Sequence, residues 1–179
     1  MAEADSGFAG TTSRGSVNYL IRNTQQQLVA LSGQADLKAS ILITAASVVL
    51  TVGVTQVRGS EYRWAFGVLA AFLLVSLLAA ILCVLPSFGT LRQARLSGMQ
   101  APNPLFFGDY GRIAEADFVD ELGRLSRDDA ALYEAQARDI HRQGLYLITH
   151  KYRYLRFGYA MFLAGFASAA AVVISLLAT

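Results

Sequence analysis

The chain has 179 residues, of which 54% are hydrophobic and 16% charged, the balance of an integral membrane protein rather than a soluble one. A formal charge of +2 is too small to argue for nucleic acid as a partner. The single cysteine, Cys83, excludes an internal disulfide, and with two histidines, His141 and His150, it gives no metal-ligand spacing.

Residues 1–16 are small, polar and Gly-rich, without the apolar centre of a signal peptide, and read as a disordered N-terminus. Val17, Leu20, Ile21, Thr24, Leu28, Leu31 and Ala35 then recur at three- and four-residue steps. That is one face of an amphipathic helix over 17–38. It holds no proline and is expected to run unbroken into the first of three uncharged apolar runs. These are Ala39–Val57, Trp64–Leu85 and Phe157–Leu177. At 1.5 Å per helical residue each is about 28–33 Å long, enough to cross a bilayer. The fold expected is an all-α membrane protein with three transmembrane helices and long cytoplasmic helical extensions. The spans are placed at 39–57, 64–85 and 157–178, with an external hairpin at 58–63.

Pro86, Gly89, Gly98, Pro102, Pro104, Gly108 and Gly111 make 86–114 the irregular part, a cytoplasmic loop. It contains Phe106, Phe107 and Tyr110. Phe118, Leu122 and Leu125 mark a short helix. Ser126 to Asp129 reads as a capping box, with Ser126 as N-cap and Asp129 in place of the usual Glu. Leu132, Gln136, Ile140, Gln143, Leu147 and Tyr154 share a stripe, so the helices of 115–156 are expected to lead straight into the third span. Gly144 is the expected weak point. Two long helices with incompletely covered apolar stripes predict a homo-oligomer.

Lysines and arginines set the orientation. Arg14, Arg22 and Lys38 precede the first span, Arg92 and Arg95 follow the second, and Lys151, Arg153 and Arg156 precede the third; the hairpin has only Arg58 and Arg63. The N-terminus and 86–156 are therefore expected in the cytoplasm. The C-terminus is expected outside, with no external domain beyond it.

The first span carries Ser40, Thr44, Ser47, Thr51 and Thr55 on one face. This stripe reads either as close helix packing or as the lining of a water path in an activated state. Asp36 and Lys38 lie at the membrane boundary. They are interface anchors, or Lys38 joins Lys151 and Arg153 in a cationic shelf for a phosphate. Phe106, Phe107 and Tyr110 either plug the loop onto the helices or stack on a base whose edge Asn103 or Asp109 reads. No nucleophile–base pair or phosphate-binding glycine loop is present, so no enzyme is expected.

Three stretches carry a resemblance: Ala35–Ala39 before the first span, Asn103–Asp109 after the second, and His150–Arg156 before the third. In that order, with the spans between, the chain resembles the transmembrane effectors of Pycsar antiphage systems, the PycTM family, from about Val17 to the C-terminus. The resemblance implies an inner-membrane effector of bacteria, encoded beside a pyrimidine nucleotide cyclase. Infection raises cyclic UMP or cyclic CMP, the effector responds, and the membrane is compromised so that the infected cell stops growing. No cofactor beyond that ligand is implied. The ligand contacts are placed at the motif positions Asp36, Lys38, Asn103, Phe106, Phe107, Asp109, Lys151 and Arg153, since a cation shelf with aromatics suits a flat base and one negative charge. The competing readings are a membrane scaffold or partner-binding subunit without a nucleotide ligand, and a small channel or transporter component. The absence of intramembrane charge weighs against a transporter.

Overall fold

The computed structural model describes residues 14–57, 62–85, 103–106, 109 and 113–178. The described elements are α1 (Arg14–Val57), α2 (Arg63–Val84), α3 (Glu115–Leu125), α4 (Asp129–Tyr146), a π-helical turn (Leu147–Tyr152) and α5 (Arg153–Leu177). Among the described residues there is no strand. Among the described residues three helices are long and apolar enough to cross a membrane, and the protein is an all-α membrane protein. Helix α1 runs unbroken for 44 residues. It begins at Arg14, so 14–16 are helical rather than part of the disordered stretch expected at 1–16; residues 1–13 lie outside the described residues. The hairpin expected at 58–63 and most of the 86–114 loop also lie outside them.

The chain divides into two compact units, with boundaries after Leu31, Leu85 and Tyr146. One unit holds the C-terminal part of α1 with α2, the π turn and α5. Its inner faces are made of small residues: Ala35, Ala39 and Ala46 of α1, Ala65, Ala79 and Ala80 of α2, Gly158 and Gly165 of α5. Small side chains let helix backbones approach closely, which is how helices associate where no hydrophobic effect separates them from lipid. A Cβ on Gly165 would come within 2.9 Å of Phe72 Cβ, and one on Gly158 within 3.0 Å of Leu42 Cδ2. At the same crossing Ser76, fully buried, donates its hydroxyl to the Gly158 carbonyl at 2.8 Å. Leu69, Leu73 and Ala46 fill the middle, flanked by Val49, Leu50, Leu77 and Phe162. The outer faces carry Ile41, Val48, Leu74, Leu78, Leu163 and Ile174, all exposed, as expected of helices whose solvent is hydrocarbon.

The other unit holds the N-terminal part of α1 with α3 and α4. Val17 and Ile21 of α1 pack on Tyr133, with Ile140 beside them, so the amphipathic pattern of the sequence does bury one face. Leu20 and Val29 stay exposed, at 63% and 67%. Helix α4 is capped by Asp128, not Ser126. The Asp128 carboxylate accepts from the N–H groups of Ala130 and Ala131 at 3.0 and 3.3 Å. The Ser126 hydroxyl instead donates back to the Gly123 carbonyl at the end of α3. Ser126 is used up closing one helix, which leaves Asp128 to open the next. The expected weak point, Gly144, is regular helix, and the irregular wide turn falls instead at Leu147–Tyr152.

Candidate functional site

Of the eight residues expected to contact ligand, the seven described ones fall in two groups, one in each unit. The first lies in the unit of the apolar helices. Lys151, on the π turn, places its ammonium 2.7 Å from both carboxylate oxygens of Asp36 and 2.8 Å from the Ser32 hydroxyl on α1. Its side chain is 12% exposed and that of Asp36 40%. A π turn lets one carbonyl slip from the usual ladder; here the Lys151 carbonyl accepts from Cys83 Sγ at 3.3 Å. The three-cation shelf expected from Lys38, Lys151 and Arg153 is thus not formed by three unpaired charges, because Lys151 is neutralised by Asp36. Lys38 and Arg153 are exposed. The Lys38 carbonyl accepts from the Tyr159 hydroxyl at 3.2 Å, and the Arg153 guanidinium lies 5.8 Å from the Tyr154 ring centre. His150 meets the same tyrosine edge-on at 5.0 Å. Burial, then the neighbouring charges of Arg153 and Lys151, push the His150 imidazole below its ordinary range, so its neutral form is favoured.

The second group belongs to the other unit and ties the loop to α4. Asn103 donates its side-chain amide to the Ala135 carbonyl at 2.8 Å and accepts from the Leu105 N–H at 3.1 Å. Its own N–H reaches the Asp109 carboxylate at 2.8 Å. The Asp109 carboxylate is also gripped by the Arg142 guanidinium, which lies 5.8 Å from the Phe106 ring centre. Asn103, Phe106 and Asp109 are each 5–6% exposed. These three therefore fasten the loop, and neither an open stacking face at Phe106 nor a vacant base-reading amide at Asn103 is present. Phe107 and Tyr110 lie outside the described residues.

The hydroxyl stripe does not take part in packing within the chain. Ser40, Thr44, Ser47, Thr51 and Thr55 are all exposed. Four of them donate to their own helix: Ser40 to Asp36, Thr44 to Ser40, Thr51 to Ser47 and Thr55 to Val52. The close packing expected of this stripe is supplied by the opposite face of α1, at Ala35, Ala39, Leu42 and Ala46.

Two features escaped the sequence reading. One is Asp139, only 2% exposed between α1 and α4. Its Oδ2 accepts from Gln143 at 2.9 Å and from Gln25 at 3.5 Å, whereas Oδ1, like the nearby Gln136 Oε1, is buried without a hydrogen-bond partner among the described residues. Burial raises its carboxyl above the usual range, against the two glutamine hydrogen bonds and the Arg142 charge. The signal was available: an acidic residue sits three after Gln136 and four before Gln143, on the inner stripe. The other is a groove of about 290 Å³ on α4, lined by Glu134, Ala137, Arg138, His141 and Arg142.

The model of the PycTM family, described as a Pycsar effector protein domain, matches residues 20–178. The chain belongs to the PycTM family. As a PycTM member it is a Pycsar antiphage effector, and its three apolar helices are those of a membrane protein. No curated protein and no solved structure matches the chain.

Proposed function

We propose that this PycTM protein responds to a cyclic pyrimidine nucleotide, cUMP or cCMP, and then compromises the bacterial inner membrane, halting growth of the infected cell. The observation that carries the reading is the extent of the family match, which covers the three membrane-length helices and the polar helices with them. Sensor and membrane-acting parts would thus belong to one chain. The action is by binding, not catalysis: ligand favours one packing of the helices outside the membrane, and the attached spans rearrange. A pyrimidine nucleotide cyclase supplies the ligand. The N-terminus and 86–156 face the cytoplasm, where that cyclase works. The exposed apolar residues Leu20 and Val29, and the outward hydroxyl stripe, support assembly of several copies.

Dye release from liposomes containing the purified protein tests this directly, with cUMP, cCMP, cAMP and cGMP added separately. Release with one pyrimidine nucleotide alone is the expected result. Silence with all four, from correctly inserted protein, would overturn it in favour of a scaffold or partner-binding subunit.

A further inference from the structure

The groove on α4 combines three cationic or aromatic side chains at helical spacing. Arg138, His141 and Arg142 stand at i, i+3 and i+4, and so project from one face. Both guanidinium groups are already oriented. Glu134, one turn back, pairs with Arg138; Asp109, itself held by the Asn103 N–H, pairs with Arg142. A guanidinium carries five donors in a planar fork, so a pairing carboxylate can fix its orientation and leave the fork suited to a phosphate. The two pairs differ in how firmly they are held. Arg138 and Glu134 have side chains 59% and 45% exposed, whereas Asp109 is 7% exposed and Arg142 20%. An exposed pair of the first kind is worth little and is cheaply exchanged. An incoming phosphate would displace Glu134 from Arg138 and leave the Asp109–Arg142 pair as the fixed wall. His141, exposed, supplies a flat ring on which a single base can stack, and Ala137, one turn before it, adds little bulk to the floor. At about 290 Å³ the groove lies at the small end of ligand sites, suited to one mononucleotide rather than a dinucleotide.

We propose that this groove, with Arg138 and Arg142 on the phosphodiester and His141 against the base, is where the protein binds a cyclic mononucleotide. The assignment rests on the nucleotide-effector reading above. It moves the ligand away from Lys38, Lys151 and Arg153 and gives Glu134 a role as resident competitor for the phosphate.

Equilibrium binding to the full chain in lipid nanodiscs tests it, with cUMP and cCMP as ligands and inorganic phosphate as the comparison probe. Arg138→Glu should weaken binding of the preferred nucleotide by about tenfold or more, since it both removes and reverses a charge. His141→Ala should weaken it about threefold. Glu134→Gln should tighten it about threefold, by removing the competing carboxylate. Lys38→Ala and Arg153→Ala should bind as the wild type does. These are exposed positions, and an unchanged helical spectrum and melting midpoint confirm the fold. If the wild type binds a nucleotide but Arg138→Glu and Glu134→Gln bind equally well, the groove is the wrong site and the effector reading stands. If inorganic phosphate binds as tightly as the nucleotide, the groove is a simple anion cleft and the proposal fails. If neither nucleotide binds the wild type, direct sensing by this chain fails, and this site with it.

Discussion

Asp139 is a buried carboxyl in surroundings that suit its chemistry poorly. A carboxylate that is 2% exposed, with one oxygen lacking a donor, favours its protonated form. Its folded-state affinity for a proton therefore exceeds its unfolded one. Its contribution to stability is fully present below the ordinary aspartate value and is lost as pH rises through the raised folded value, the reverse of a salt-bridged aspartate. Asp139→Asn offers an N–H toward Gln136 and keeps an oxygen for Gln25 and Gln143. It should gain about 1 kcal/mol at neutral pH and remove the Asp139 share of the pH dependence, read as melting midpoints of both proteins in detergent between about pH 4 and 8. Lys151 and Asp36, by contrast, are held together as an ion pair. Asp36→Ala strands a nearly buried ammonium with Ser32 alone and should cost about 1–2 kcal/mol. Adding Lys151→Met should recover most of that, measurable as a double-mutant cycle. The sequence placed Asp36 and Lys151 at the same boundary, but as separate groups awaiting a ligand. Pairing between residues 115 positions apart leaves no trace in local spacing.

Among the elements, what a glycine contributes differs between the crossing of α2 and α5 and the body of α1. At Gly165 a methyl group would strike Phe72, so Gly165→Ala should cost about 1–3 kcal/mol and loosen the pair. At Gly33 nothing lies within 4 Å, so Gly33→Ala should instead gain about 0.5–1 kcal/mol from reduced chain entropy. Thermal melting with circular dichroism detection reads both. The elements themselves were legible because uncharged runs of about twenty residues have few alternatives to a membrane helix. The 3.6-residue pattern of Val17, Ile21 and Leu28 needed only a neighbour to confirm it. The π turn was not legible. Residues 147–152 contain neither glycine nor proline, and the wide turn is stabilised by contacts from other elements, such as Cys83 on the Lys151 carbonyl. The cap of α4 failed for a related reason: Ser126 and Asp128 are both good caps, and only the end of α3 decides between them.

For the molecule as a whole, orientation is the next quantity to fix. Cysteines introduced at Arg127 and at Ser60, in a Cys83→Ala background, should label from opposite sides of the membrane. Arg127 should be reached from the cytoplasm and Ser60 from outside; labelling of both from one side would mean that α2 does not cross the membrane, and the swapped pattern would mean the reverse topology. The hydroxyl face of α1 bears on how the two arrangements of the proposed function could coexist. A row of leucines would tie that face to lipid, and a row of charges would tie it to water. Ser40, Thr44, Thr51 and Thr55 do neither, because each hydroxyl donates a hydrogen bond to a carbonyl of its own helix and needs no acceptor from outside. A change of χ1 from one staggered rotamer to another presents the same hydroxyl to a neighbouring helix or to water. That face therefore has little preference for lipid or water, and on the proposed function a ligand of modest affinity is enough to change which of them covers it.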